Sequence, residues 1–327
     1  MAILAVGNEG DSFENSLGTS FYQQSTKDAL ARGGIAPTSS SRHALKLSSS
    51  VSEMWVHGWW SFISSQTSSS APLIDTYDSG VGTTLFRILQ VLDYTSDAFA
   101  YKAQYWNGSA YVDIADFSLP AFTASTNGFE FDIHFKSGSS GRFRVYVERQ
   151  LVVDKSGSYV IGATWDRVRF SANSGLNVYY GSIIVADAST VGLRLDSLIP
   201  NATSSNSGWT NPTVANLADT TNAPAVNTST LASTNTSGAN FQLNYENPAS
   251  FATHREAQGV SVASCGIVQA GSGFTNLSLY VNSTSLGNMS FGTSFTSYQQ
   301  FLTTNPATGV AWTNTTISNM TIGAITS

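Results

Sequence analysis

Alternation of apolar and polar positions is plainest between Phe129 and Asp154. Phe129, Phe131, Ile133 and Phe135 share one face and Glu130, Asp132, His134 and Lys136 the other, the period of two of a half-buried strand. The loop Ser137-Gly138-Ser139-Ser140-Gly141 predicts a reversal, after which Phe143, Val145 and Val147 alternate with Arg142, Arg144, Tyr146 and Glu148. Two antiparallel neighbours with aromatic and β-branched inner faces need a second sheet to cover them, so the pattern predicts an all-β fold built as a β-sandwich.

Further short runs of the same kind are Glu53–Phe62, Thr83–Val91, Ala98–Trp106, Ala110–Ile114, Tyr159–Ile161, Asp166–Phe170 and Leu176–Val185. Ala36–Ser41, Ser48–Ser50 and Ser64–Ser70 read as turns between them, Asn107-Gly108 as a two-residue hairpin turn, and Ser25–Arg32 as the one candidate for a helical turn or two. Beyond Pro200 the only charged residues are Asp219, Glu246, Arg255 and Glu256. Asn, Thr, Ser and Ala dominate Asn201–Asn240, yet Phe241–Tyr245, Gly259–Ala263, Leu277–Val281, Phe291–Leu302 and Ala311–Thr313 alternate like strands. Two domains are expected over the 327 residues: a sandwich over 1–190 and a smaller, charge-poor β-sandwich over 191–327, shaped like a jelly roll and serving assembly.

Charged residues are only 11% of the chain and hydrophobic ones 41%, so the core is ample and the surface is built from neutral polar groups. A net charge of −6 offers no footprint for nucleic acid. No apolar run approaches the length of a membrane span, about 20 residues, and Met1–Gly10 lacks the basic start of a signal peptide, so neither membrane insertion nor export is expected. Without export, the Asn-x-Ser/Thr sequons read as a by-product of composition. Cys265, the single cysteine, excludes an intrachain disulfide and reads as a buried inert thiol.

Candidate chemistry gathers on two strands. Trp55, His57 and Trp59 fall on one side of theirs, and Glu130, Asp132 and His134 on one side of theirs. Aromatic rings beside carboxylates on a sheet suit stacking on sugar faces and bonding to hydroxyls, so these six are the candidate glycan-binding residues; packing in the core is the competing reading of the tryptophans. The four histidines, His43, His57, His134 and His254, lack zinc-ligand spacing. No cofactor is called for. Calcium is the one ion weighed, through Asp75, Asp78, Asp93 and Asp97, which lack the regular spacing of a calcium loop.

Glu130-Phe-Asp132-Ile-His134 resembles the Glu-x-Asp-x-Glu strand of retaining β-glucanases. It carries His134 where that chemistry needs its acid, so no enzyme is expected. Phe129 to Asp154, with Trp165–Phe170 and Tyr179–Asp187, resembles the concanavalin A-like lectin/glucanase fold over residues 1–190. The Met1–Gly7 start, Ile184–Asp187, Leu193–Pro200, Ser207-Gly-Trp209 and Asn305–Trp312 are similar to stretches of tailed-bacteriophage virion structural proteins. That resemblance implies a tail, fibre or capsid-surface component assembled in the host cytoplasm and located in the virion. Its partners would be other virion proteins and copies of itself, and it would contribute to adsorption on host-surface polysaccharide. The alternatives are a stand-alone lectin-like glycan binder and a polysaccharide hydrolase.

Overall fold

In a computed structural model, residues 1–7, 13, 35, 37, 42–62, 72–91, 99–119, 129–160, 162–171, 178–193, 195, 198, 200–213, 232–245, 257–266, 276–290, 293 and 296–327 are described. The chain divides into two compact units, Met1–Asp196 and Ser197–Ser327.

The first unit is a sandwich of two six-stranded antiparallel sheets. Its strands are β1 (Ile3–Gly7), β2 (His43–Val51), β3 (Glu53–Phe62), β4 (Pro72–Asp78), β5 (Thr83–Val91), β6 (Phe99–Trp106), β7 (Tyr111–Leu119), β8 (Phe129–Lys136), β9 (Gly138–Val147), β10 (Gln150–Tyr159), β11 (Trp165–Phe170) and β12 (Val178–Ala186). One sheet runs β1-β12-β3-β8-β9-β10 and the other β2-β11-β4-β5-β6-β7. The alternation read in β8 and β9 sends Phe131, Ile133, Phe135, Phe143 and Val145 into a shared core, where each large apolar side chain contributes about 1.5–3 kcal/mol. Trp60 of β3 sits at its centre, 5.4 Å from Tyr101 of the facing sheet and 5.5 Å from Phe129 between ring centroids. Gly58 is required by close approach: a Cβ there would stand 2.4 Å from Ile183 Cδ1 and 2.9 Å from Phe131 Cζ.

The turns differ from their sequence reading. Lys136 pairs with Arg142, so residues 137–141 carry the reversal as read, but they are extended from Gly138, at φ 108°, because Gly138 and Gly141 also pair with β10. The Asn107 loop has four residues, closed by Asn107 Oδ1 accepting from the Ser109 and Ala110 N–H groups. Ser48–Ser50 lie inside β2, an edge strand whose solvent side takes small polar residues without loss of pairing. Val160, at φ 41°, ends β10 and breaks the strand expected over 159–161. The helical turn expected over 25–32 and the turn over 64–70 lie outside the described residues, as does most of 36–41 and the Cys265 side chain.

The second unit holds β13 (Pro200–Ser207), β14 (Asn240–Tyr245), β15 (Val260–Gly266), β16 (Asn276–Val281), β17 (Thr284–Ser290), β18 (Thr296–Leu302), α1 (Asn314–Ser318) and β19 (Thr321–Thr326). A five-stranded sheet, β13-β14-β19-β16-β17, and the ribbon β15-β18 enclose Phe241, Leu243, Val262, Leu279, Val281, Trp312, Ile317 and Met320. Trp312 lies outside any strand and donates its indole N–H to Leu302 O at 2.9 Å. The short helix starts on a capping box in which Thr313 and Thr316 satisfy each other's backbone N–H, which no apolar periodicity announced.

Candidate functional site

Register assembles the candidate residues on the outer face of the first sheet. Trp55 pairs with His134, His57 with Asp132 and Trp59 with Glu130, so six side chains separated by up to 79 positions form three cross-strand rows on β3 and β8. The rows continue outward: Asp132 faces Tyr146 of β9, and His134 faces Arg144, which faces Asp154 of β10.

Burial splits the six. Trp55, His57, Asp132 and His134 are buried, whereas Trp59 and Glu130 are half-buried. Thr190, which follows β12, closes the centre by donating its hydroxyl to Asp132 Oδ1 at 2.7 Å. His57 Nδ1 lies 3.0 Å from the same oxygen and, since a carboxylate only accepts, carries the proton of that bond. Asp132 Oδ2 is buried with no partner among the described residues. His134 stacks on Trp55 at 4.4 Å and 9° and meets Glu53 Oε1 through Nε2 at 2.9 Å. Burial pulls the His134 imidazole below its ordinary value against the opposing pull of Glu53. Burial alone would raise the Glu53 carboxyl, but Lys136 and His134 bring it below the usual range.

Glu130 accepts from Arg149 Nε at 3.2 Å. Arg149 stands with Glu148 in the turn joining β9 and β10, both at positive φ (67° and 48°), a conformation that costs non-glycine residues energy and aims the guanidinium back over the sheet. Glu53 and Tyr146 were legible from alternation. Thr190 and Arg149 were not, because loop geometry places them.

His57, Glu130 and Asp132 each offer a ligand atom, all within 4.8 Å of one another. Of the aspartates weighed for calcium, the two described ones make separate contacts. Asp75 is buried against Arg169 Nε at 2.6 Å, Asp78 accepts from the Gly80 N–H at 2.8 Å, and Asp93 and Asp97 lie outside the described residues.

No protein-family model matches the chain and no curated sequence is similar to it. Among solved structures it is similar to alginate lyase Aly36B in complex with alginate tetrasaccharide (12% identity, 59% of this chain and 95% of that one, TM-score 0.37). It is also similar to an endo-β-1,4-glucuronan lyase from the fungus Trichoderma reesei (9% identity, 55% and 94%, TM-score 0.38) and to the carbohydrate recognition domain of Emp47p (11% identity, 56% and 100%, TM-score 0.35). These neighbours are lectin-like and glycan-lyase β-sandwiches, and at such identities they speak of fold alone. The expectation that the chain is not an enzyme is withdrawn, since polysaccharide lyases stand among them.

Proposed function

We propose that the outer face of the first sheet binds carbohydrate in the manner of a lectin. The observation that carries this is the pairing of Trp59 with Glu130, a half-buried indole beside a half-buried carboxylate, with Arg149 bonded to Glu130 and Tyr146 opposite the next residue of the same face, Asp132. The ring supplies an apolar platform for a pyranose face, and Glu130 and Arg149 supply an acceptor and donors for hydroxyl or carboxylate groups. A glycan array followed by calorimetry tests it: Trp59→Ala and Glu130→Gln are expected to weaken binding at least about tenfold, roughly 1.4 kcal/mol. Absence of binding to any neutral or acidic polysaccharide, or affinities indifferent to both substitutions, overturns it.

A second reading, that the chain is building material of a phage virion, is supported by the second unit, whose only charged residues are Asp219, Glu246, Arg255 and Glu256. Free surfaces ordinarily carry such charges for solubility, and interface centres are depleted of them. Light scattering after size exclusion tests the assembly on which it depends; a strict monomer at high concentration sinks it.

A further inference from the structure

We propose that His57, Glu130 and Asp132 form a binding site for one divalent cation of the zinc class. The three come from adjacent strands in one register, and their ligand atoms lie within 4.8 Å of one another. Donors around a single zinc, each about 2.0–2.2 Å from it, sit about 3.0–3.5 Å apart. The 3.0 Å between His57 Nδ1 and Asp132 Oδ1, a hydrogen bond in the metal-free chain, fits that spacing once the metal displaces the Nδ1 proton, leaving the neutral ring protonated on Nε2, and the half-buried Glu130 turns inward.

The independent observation is Asp132 Oδ2, wholly buried and bonded to nothing described; Asp75 Oδ2 is likewise unbonded but has Arg169, Arg42 and Arg87 about it, whereas Asp132 has no such cation among the described residues. Among the described residues no Lys or Arg forms an ion pair with Asp132, and His57 and the Thr190 hydroxyl are its partners. A buried carboxylate without a compensating cation is costly, and a dication balances two carboxylates and a neutral imidazole. The imidazole argues for a borderline metal over calcium, which takes six to eight oxygens. Three protein ligands leave a further position open to water or to an oxygen of a ligand on the same face. Arg149 on Glu130 is half-exposed at the tip of its turn and free to swing away as the metal arrives.

The test is calorimetric titration of the chelator-treated full chain with Zn²⁺ alone, no glycan present, so its failure leaves the carbohydrate reading untouched. One equivalent is expected to bind, with Glu130→Gln and Asp132→Asn each weakening it by about 10–100-fold or more. Asp113→Asn on the other sheet should leave it unchanged, and excess Ca²⁺ should not compete. Lack of binding, binding insensitive to both substitutions, or displacement by Ca²⁺ overturns the proposal. If Asp132→Asn does not fold, Glu130→Gln on the exposed rim decides, read alongside the tetrahedral visible spectrum of the Co²⁺-loaded wild type.

Discussion

The two sheets of the first unit each bury an aspartate on the outer face, and they treat it differently. Asp75 on β4 is answered by charge: Arg169 Nε bonds it at 2.6 Å, Arg42 stands 3.9 Å away, and the guanidiniums of Arg169 and Arg87 lie over Tyr77 and Tyr111. Burial pushes the Asp75 carboxyl up and these arginines pull it back. Asp132 on β8 is answered by an imidazole and a hydroxyl, with one oxygen left over. Both keep an Oδ2 without a hydrogen bond among the described residues; what differs is the compensating charge, which three arginines supply at Asp75 and which Asp132 would take from a bound cation.

Four outcomes sharpen or break that contrast. Arg169→Met leaves Asp75 buried and underpaired and is expected to cost about 3–5 kcal/mol in denaturant unfolding; a change under about 1 kcal/mol removes the contrast. Thr190→Val takes one bond from Asp132 while His57 remains, so a loss of about 1–2 kcal/mol is expected. Asp132→Asn keeps an acceptor for Thr190 and His57 and removes the unpaired charge, so stability should stay within about 1 kcal/mol of wild type, whereas Asp75→Asn should destabilise.

The smallest effect is on pH dependence. In the fold the His134 and His43 imidazoles are held below the unfolded value of about 6.5, so as pH falls through it the unfolded chain gains protons that the fold refuses. Their contribution is therefore complete above that pH and lost on acidification, and Tm should fall between about pH 7 and pH 5. His134→Gln should reduce the slope without abolishing it, since His43 remains. Glu53, whose pKa is lowered in the fold, adds a further loss only near and below its unfolded value of about 4.3.

Much of this was legible in the chain. Two-residue periodicity identified both faces of β3 and β8 and therefore which side chains point away from the core. Unequal content of charge separated the two halves. The histidines looked scattered because ligand spacing was sought along the sequence, whereas His57 meets Asp132 across 75 positions. Of the expected stretch 291–302, Thr296–Leu302 form β18 and most of 291–295 lies outside the described residues, while β17, β19 and α1 gave no strong apolar signal, because exposed Ser, Thr and Asn make strands and caps without periodicity.

The amino-acid order by itself determined an all-β chain, the inward set of aromatic residues and the polar set opposite, since a pleated strand turns alternate side chains to opposite faces whatever its neighbours are. Tertiary structure alone decided which polar residues meet and which are sealed from water. Register between strands far apart in sequence put His57 beside Asp132, and the return of the chain at Thr190 covered them; neither is encoded in any local window, because both depend on closing long loops around a shared core.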